Sequence, residues 1–219
     1  MTDALAITLS SATADISQIR SFEVIDYDTY PAAGTLSAMG FGGPPASQDT
    51  AADASLVPSW GGALWLVADA LGVELDRISV STESFPCPED LTTRGGLHVP
   101  RGTVAALSWS LTGYVGDRPL IVSQHVSRVR DDMAPDWQQI GDRGGYRIEI
   151  DGVPPLRVEM PLGLAGGTGT CLGDALLMTA ARCVNSVSAV VAAPAGYHLL
   201  NDLPVIGARH GVRTAEPRS

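Results

Sequence analysis

The stretch GTVAALSWSLTGYVGDRPLIVSQHVSRVR, residues 102–130, decides the class of fold. Two long runs rich in apolar and β-branched residues, 102–114 and 118–130, flank a short turn at 115–117 with the sequence Val-Gly-Asp. Two such runs joined by a tight glycine-containing turn predict a β-hairpin. The centre of the protein is therefore expected to be antiparallel sheet.

The flanking segments add further strands and helices to this hairpin. Alternation and helical spacing predict strands over 18–28, 75–85, 145–151 and 155–161, and helices over 3–14, 57–71 and 170–190. Residues 31–56 are rich in Gly, Pro, Ala and Ser and predict a long loop with a helical turn near 36–39. This order predicts an α+β fold, with one mostly antiparallel (mixed) sheet and helices packed on one face. We expect a single domain over 1–213 and a polar tail over 214–219.

Composition and charge limit the classes of function. The 219 residues contain 45% hydrophobic residues and carry a net charge of −10, with 14 basic residues that are all arginine. This charge disfavours nucleic acid and anionic membranes as partners. Without lysine, Schiff-base catalysis is excluded. Three cysteines lack metal-ligand spacing, and neither a signal peptide nor a membrane span stands out, so we expect a cytoplasmic protein with reduced thiols and no bound metal.

Four stretches of the sequence resemble one known family. They are residues 2–6, 21–30 together with 39–42, 125–137, and 184–196 together with 202–204. They are similar to the C-terminal part of dihydrodipicolinate reductase-like proteins, in particular the 2,4-diaminopentanoate dehydrogenase branch. The resemblance implies a substrate and oligomerisation domain whose free sheet face makes a homodimer or homotetramer. In this family a dinucleotide-binding domain precedes that part, and we expect none within these residues.

The first predicted strand has the densest cluster of ionisable side chains. Glu23 and Asp26 are candidate acid or base residues, because a carboxyl group buried without a partner has a raised pKa. They lie on opposite strand faces, so they do not form a carboxylate dyad. The alternative is that both are ordinary charged strand residues. The reductases that the resemblance indicates carry a His-His-x-x-Lys motif here, whereas this chain has Asp26-Tyr27-Asp28 and no lysine, so their diacid substrate is not carried over.

His125 is the second candidate acid or base, since a histidine titrates near neutral pH. It lies in the middle of a predicted strand, with Ser123 and Ser127 on its own face. Glu83 on a neighbouring strand is a candidate to orient it, and the adjacent Gln124 is a candidate substrate contact. The alternative is a structural histidine whose hydrogen bonds are satisfied.

Aromatic residues suggest an apolar wall beside these groups. Trp60 begins the apolar stripe of the 57–71 helix, and we expect it to line a substrate site with Tyr27, Met39 and Phe41. The alternative for Trp60 is packing in the core.

The glycine-rich passage 163–169 is a candidate anion site, because it follows a strand and opens a helix. It lacks the lysine of a phosphate-binding loop and the spacing of a dinucleotide fingerprint. We expect Thr168 and Thr170 to contact a substrate carboxylate or oxyanion. The alternative is a plain connector.

Three functions fit these features. The preferred hypothesis is a cofactor-independent isomerase, cyclase or lyase that uses a reductase-type cavity on a largely apolar secondary metabolite. The second is the substrate-binding half of a split NAD(P)H-dependent imine or carbonyl reductase, whose dinucleotide-binding protein is a separate chain. The third is a non-catalytic ligand-binding protein.

Overall fold

The computed structural model describes residues 1–45, 51–208 and 211, with the main chain alone at 51–54. The expected tail at 214–219 lies outside these described residues. The helices are α1 (Thr2–Ser10), α2 (Ala33–Ala38), α3 (Ala51–Ala70) and α4 (Cys171–Ala192), followed by a 3₁₀ turn at Leu200–Asp202. The strands are β1 (Ala14–Asp26), β2 (Arg77–Pro86), β3 (Leu91–Thr92), β4 (His98–Val99), β5 (Val104–Val115), β6 (Arg118–Arg128), β7 (Gly145–Val153) and β8 (Leu156–Pro161).

Six strands form one mixed sheet in the order β2-β5-β6-β1-β7-β8. The two predicted hairpins, β5–β6 and β7–β8, are antiparallel as expected. The strand β1 lies between them and pairs parallel to β6 and antiparallel to β7. The α+β class and the mixed, mostly antiparallel sheet are therefore confirmed.

One sheet face carries the helices. Ile19 of β1 is buried with Leu64 and Val67 of α3 and Ala6 of α1 in one core cluster. Farther along the same face, Ile25 is buried with the first turn of α4. Because side chains alternate along a strand, the residues between these, such as Phe22 and Val24, contribute to a separate cluster on the opposite face.

The opposite face is more polar toward its β7–β8 edge. Arg20 forms ion pairs with Glu149 and Asp151 at 3.1 and 3.0 Å, and Arg147 pairs with Glu159 at 2.9 Å. These residues belong to neighbouring strands, so the ion pairs join β1, β7 and β8 across the sheet. No ligand chemistry is needed to explain them.

The element boundaries differ from the prediction at three places. Helix α1 ends at Ser10 rather than at 14, because β1 already begins at Ala14. Helix α3 begins at Ala51 instead of 57, so Pro58 lies inside it rather than in its first turn. Alanine-rich sequence extends the helix here, although proline removes one backbone hydrogen bond. The segment before Pro100, where no strand is predicted from the sequence, contains the two-stranded β3–β4 sheet.

Helix α4 leaves the sheet after its first turn. Cys171, Leu172 and Ala175 are buried, whereas most of the following side chains are exposed. By length and composition α4 is apolar enough to cross a membrane, and only 6% of its apolar window is buried. The chain then returns to α3, where the Asn201 side chain donates to the Leu66 carbonyl at 3.0 Å and to Asp69 at 2.7 Å.

Candidate functional site

A row of polar and aromatic side chains crosses the helix-bearing face of the sheet. The strand register places Trp109 of β5 beside His125 of β6, His125 beside Glu23 of β1, and Glu23 beside Tyr146 of β7. Residues in register on neighbouring strands point to the same face. The central parallel pairing of β1 with β6 therefore brings the two strongest sequence candidates, Glu23 and His125, into contact.

Glu23 and His125 are hydrogen-bonding partners. The distance from His125 Nδ1 to Glu23 Oε1 is 3.4 Å, and Ser123 Oγ lies 3.4 Å from His125 Nε2. Burial opposes the charged form of Glu23, but the hydrogen bond and the charge of His125 outweigh it, so the pKa of Glu23 is lowered. Glu23 is thus a carboxylate at neutral pH, contrary to the raised pKa expected of a carboxyl group buried without a partner.

Two indole rings enclose the imidazole of His125. The Trp109 ring stacks on it with a centroid distance of 3.8 Å and an interplanar angle of 11°. Trp60 of α3 contacts the imidazole at 4.7 Å and Trp109 at 5.0 Å, while 45% of Trp60 remains exposed. His125 is consequently fixed by its surroundings, and Trp60 forms an outer aromatic wall that solvent reaches.

Three weak acids surround the other side of Glu23. Burial and the nearby Glu23 charge raise the pKa of Tyr27 to about 12, although its hydroxyl hydrogen-bonds with Ser127. The same two causes raise the pKa of Tyr146. Burial raises the pKa of the Cys171 thiol to about 11, and the thiol points to the Val24 carbonyl. All three groups are protonated at neutral pH, which leaves Glu23 as the anionic centre of this set.

Asp26 does not join this set. Its carboxylate accepts the backbone N–H of Asp28 at 2.8 Å, closing the turn after β1. Burial raises the pKa of Asp26, and the neighbouring charges of Asp28 and Asp131 add to this. Asp28 in turn binds the side chain and the backbone N–H of Arg94. The structure therefore gives Asp26 a place in the turn, away from Glu23.

Glu83 and Gln124 lie on the wrong face to act with His125. In the pairing of β2 with β5, Thr82 lies opposite Trp109 and Glu83 lies opposite Ser108. Glu83 therefore points to the face of the sheet opposite to that of Trp109 and His125. Gln124 is likewise in register with Phe22 on the opposite face. The prediction that Glu83 orients His125 is wrong, because Glu23 occupies that position.

The predicted aromatic wall forms only in part. Phe41 is buried in a separate core cluster with Leu36, and its ring centroid lies 6.3 Å from that of Tyr27. Met39 is 41% exposed at the end of α2. Trp60 packs at a tilt against Trp109 and His125, so Trp109 supplies the surface that the sequence prediction assigned to Phe41 and Met39.

The glycine-rich loop is filled by a carboxylate of the chain itself. Asp174 accepts the backbone N–H of Gly163 at 2.9 Å, the backbone N–H of Thr168 at 2.6 Å and the Thr168 hydroxyl at 2.8 Å. Thr170 Oγ1 accepts the Gly173 N–H at 3.0 Å as the helix cap. Thr168 and Thr170 therefore have local partners, and the expected external anion is replaced by Asp174.

Sequence reasoning did not find Trp109, Tyr146 and Cys171. Trp109 has the strand parity of Leu111, which would have placed it on the helix-bearing face. For Tyr146 and Cys171 no local pattern indicates proximity to Glu23, because they reach it through β7 and the start of α4.

A groove of about 330 Å³ lies elsewhere, between the C-terminal half of α4 and the returning chain. Asn185, His198 and Asp202 are among its lining residues. The His198 ring nitrogen contacts the Pro194 carbonyl at 2.7 Å, and Asp202 accepts the Leu199 N–H at 2.7 Å. The candidate site lies at Glu23 rather than in this groove, because the side chains of His198 and Asp202 are held by local backbone.

Comparisons with known proteins agree with this fold. The fold and the matches define a dehydrogenase C-terminal domain. The chain belongs to the 2,4-diaminopentanoate dehydrogenase C-terminal domain family, whose model matches residues 1–216. This confirms the family to which the four sequence stretches are similar.

Individual relatives are longer than this chain. An amine dehydrogenase of Streptomyces virginiae is 30% identical over 213 residues, which cover 93% of this chain and 57% of the relative. A 2,4-diaminopentanoate dehydrogenase of Acetoanaerobium sticklandii is 28% identical over 141 residues, covering 64% of this chain and 35% of the relative. The chain thus spans about half or less of the curated relatives it matches.

A solved structure shares the fold. The amine dehydrogenase from Mycobacterium smegmatis superposes with a TM-score of 0.61 at 19% identity, covering 94% of this chain and 57% of that one. Both curated relatives are named dehydrogenases. These names overturn the preferred hypothesis of a cofactor-independent isomerase, cyclase or lyase, and favour the reductase alternative.

Proposed function

We propose that this domain is the substrate-binding half of an NAD(P)H-dependent dehydrogenase that interconverts an amine with an imine or carbonyl compound. One observation carries the proposal: an ionised Glu23 is hydrogen-bonded to the buried His125, whose imidazole contacts the exposed indole of Trp60. The names of the relatives, an amine dehydrogenase and a diamine dehydrogenase, support it.

Glu23 is suited to bind an ammonium group. A carboxylate in partly buried, aromatic surroundings attracts a cation more strongly than one in water, because the local dielectric constant is lower. The face of an indole adds a favourable electrostatic contact with a cation and covers the apolar carbons attached to it. The side chain of Glu23 remains 21% exposed, so a ligand has access to it.

His125 is suited to position Glu23 rather than to bind substrate. Its ring is 4% exposed, stacked on Trp109, and has a partner at each nitrogen. Its hydrogen bond lowers the pKa of Glu23, so that Glu23 stays ionised against the cost of burial. In this proposal Glu23 and Trp60 contact the substrate, and His125 acts through Glu23.

The described residues do not fit the pyrophosphate of a dinucleotide. Two backbone N–H groups of the glycine-rich loop before α4, those of Gly163 and Thr168, already donate to Asp174. The sequence also lacks the glycine spacing of a dinucleotide fingerprint. We therefore propose that residues outside these 219 bind the nucleotide, and that the helix-bearing face supplies the amine or carbonyl site alone.

A fluorescence titration of the purified chain tests the proposal. Pentylamine is charged at neutral pH and 1-pentanol is its neutral counterpart of similar size. Because Trp60 and Trp109 line the site, pentylamine is expected to change tryptophan fluorescence with saturation, at about tenfold lower concentration than 1-pentanol. NADH and NADPH are expected not to bind the chain alone.

Two variants of matched charge locate the effect. Glu23→Gln removes the proposed ammonium partner, whereas Glu83→Gln removes a carboxylate from the opposite sheet face. The amine preference is expected to disappear in the first variant and to persist in the second. Equal affinity for amine and alcohol in the unchanged protein would refute an ammonium site. Binding of NADPH by the chain alone would refute the proposal that residues outside these 219 bind the nucleotide.

A further inference from the structure

Tyr146 carries a hydroxyl group that has no hydrogen-bond partner among the described residues. Two other weak acids beside Glu23 do have one, since the Tyr27 hydroxyl hydrogen-bonds with Ser127 and the Cys171 thiol points to a backbone carbonyl of β1. Burial and the nearby charge of Glu23 raise the pKa of Tyr146 without a hydrogen bond to any residue that the structure describes. Its proton is therefore available to a ligand.

The ring of Tyr146 is held in place under the first turn of α4. Tyr146 is 3% exposed and is buried with Ile25, Leu172 and Ala175 in one core cluster. Across the described part of the chain, the Asn201 side-chain oxygen alone is fully enclosed without a partner, so the Tyr146 oxygen keeps some contact with solvent. A fixed ring thus presents an unpaired O–H group at the edge of the core, where a ligand has access to it.

The sheet places this hydroxyl group beside the Glu23 carboxylate. Tyr146 of β7 lies directly opposite Glu23 of β1 in the strand pairing. Residues opposed in this way have their Cβ atoms about 5 Å apart and point to the same face. The negative charge of Glu23 acts on Tyr146, as expected at this separation. A ligand whose nitrogen donates to Glu23 therefore has its next atoms within reach of the Tyr146 hydroxyl group.

The two groups bind different kinds of ligand atom. Glu23 is an anionic acceptor, whereas Tyr146 is a donor at neutral pH, because its raised pKa keeps it protonated. The negative charge of Glu23 disfavours a second anion at this place, so a carboxylate is a poor partner for Tyr146. A neutral oxygen, such as that of a hydroxyl group, fits instead. The short separation of two opposed side chains favours an oxygen on the carbon next to the one that bears the nitrogen.

We propose that the Tyr146 hydroxyl group donates to such an oxygen, so that the domain selects 1,2-amino alcohols over plain alkylamines. This inference rests on the proposed ammonium site at Glu23 and names its substrate class. Glu23 supplies the charge that binds the ammonium group, and Tyr146 supplies the contact that distinguishes one amine from another. Trp60 covers the remaining carbons of either kind of ligand.

Three ligands test the selectivity of the unchanged protein by tryptophan fluorescence titration. Pentylamine is the reference, 1-amino-2-pentanol adds a hydroxyl group next to the amine-bearing carbon, and 5-amino-1-pentanol carries the same group at the far end. All three are cations at neutral pH. One additional hydrogen bond is expected to make 1-amino-2-pentanol bind about fivefold more tightly than pentylamine. The isomer 5-amino-1-pentanol is expected to bind like pentylamine, because its oxygen lies too far from Tyr146.

Tyr146→Phe locates the contact, because it removes the hydroxyl group and keeps the ring in the core. In this variant the affinity for 1-amino-2-pentanol is expected to fall about fivefold, to the value that pentylamine has in the same variant. Comparing two ligands in two proteins isolates the contact between the two hydroxyl groups. Tyr197→Phe is the control, since Tyr197 is 89% exposed, and it is expected to keep the preference for the amino alcohol.

Four results would overturn the proposal, and they separate it from the ammonium site. Equal affinity for pentylamine and 1-amino-2-pentanol, with both still dependent on Glu23, would remove the role of Tyr146 and leave the ammonium site intact. A preference that survives Tyr146→Phe would assign the contact to another residue. An equal loss for both ligands in Tyr146→Phe would show that Tyr146 positions Glu23 without contacting the ligand. Absence of saturable binding for all three amines would refute the ammonium site and this inference together.

The test does not depend on the folding of one variant. Circular dichroism checks that Tyr146→Phe is folded, as expected for a substitution that keeps the buried ring. The ligand comparison in the unchanged protein stands without any substitution, since it already distinguishes the amino alcohol from its isomer with a distant hydroxyl group. Tighter binding of 5-amino-1-pentanol than of 1-amino-2-pentanol would contradict the placement of the oxygen beside Tyr146.

Discussion

Two carboxylates near the start of α4, Glu23 and Asp174, have opposite surroundings. Asp174 accepts two backbone N–H groups and a hydroxyl within 2.9 Å, which use most of the about four acceptor positions of a carboxylate. Glu23 has a long contact of 3.4 Å to His125, and a fifth of its side chain is open to solvent. Both have a lowered pKa, so charge state alone does not separate them.

Glu23 and Asp174 differ in how much of their hydrogen-bonding capacity the chain leaves unused. The glycine-rich loop before Asp174 has the sequence of an anion site, but its donors are satisfied by the chain itself. Glu23 retains acceptor capacity and is partly open to solvent, so a ligand donor can bind there without displacing a structural bond. Substitution of polar groups whose hydrogen bonds are already made within the chain is therefore expected to change stability. Substitution of Glu23 is expected to change ligand binding.

The largest effect is expected at Arg128, a third polar group with saturated partners. Its guanidinium is 2% exposed and donates to the carbonyls of Met133, Ala134 and Gln138. Arg128→Leu leaves these carbonyls unpaired and is expected to lower the free energy of unfolding by about 3 to 5 kcal/mol. Urea denaturation measures it. The control Arg130→Leu removes a surface ion pair and should cost about 1 kcal/mol or less. Equal losses of unfolding free energy in the two variants would refute the idea that buried polar groups with a full set of hydrogen bonds govern stability.

The second effect is the loss of stability at high pH. Tyr27 has a pKa of about 12 when folded and about 10 when unfolded. The contribution of the protonated Tyr27 hydroxyl to the free energy of unfolding is therefore complete below about pH 10, and it is lost as the pH rises through about 12. Two pKa units correspond to about 2.7 kcal/mol. Tyr27→Phe should flatten this part of the pH profile of unfolding, and Tyr197→Phe, at an exposed position, should not. Identical profiles for the two variants would contradict the burial of the Tyr27 hydroxyl beside Glu23.

The third effect concerns binding. His125→Phe keeps an aromatic ring between the indoles but removes the partner of Glu23. Burial, the largest influence on this carboxyl group, then outweighs the remaining effect of the N-terminal ammonium group, so the pKa of Glu23 is expected to rise. Pentylamine affinity near pH 6 should fall by about tenfold, or ~1.4 kcal/mol. In the unchanged protein, affinity should be constant above pH 4.5 and lost as the pH falls through the lowered pKa of Glu23. An unchanged pH profile in His125→Phe would show that His125 does not position Glu23.

The smallest effect on binding is expected at Asp174. Asp174→Asn weakens the contacts to Thr168 and Gly163, so amide hydrogen exchange in 163–170 should quicken while pentylamine affinity stays the same. Lowering the pH through the depressed pKa of Asp174 should have the same local effect in the unchanged protein. Asp142→Asn, at an exposed position, serves as the control. Loss of amine binding in Asp174→Asn would restore the loop as part of the ligand site.

The sequence predicts the local features of this molecule and misses the long-range ones. The period-two pattern of β1 correctly predicts that Glu23 and Asp26 lie on opposite faces of the strand. No local pattern shows that β1 pairs parallel to β6, and that pairing is what places Glu23 at His125. Gln124 is an example: it was predicted to contact substrate because it is adjacent to His125, but a shift of one residue along a strand moves a side chain to the other face. The hydrogen bonds from Gly163 and Thr168 to Asp174 likewise form only in the folded chain and are not indicated by a local pattern.

The most direct test of the account is a crystal structure of the chain with pentylamine. The account predicts that the amine nitrogen lies within about 3 Å of a Glu23 carboxylate oxygen, with the alkyl chain against Trp60. An amine bound in the groove between α4 and the returning chain, with Glu23 unoccupied, would contradict it.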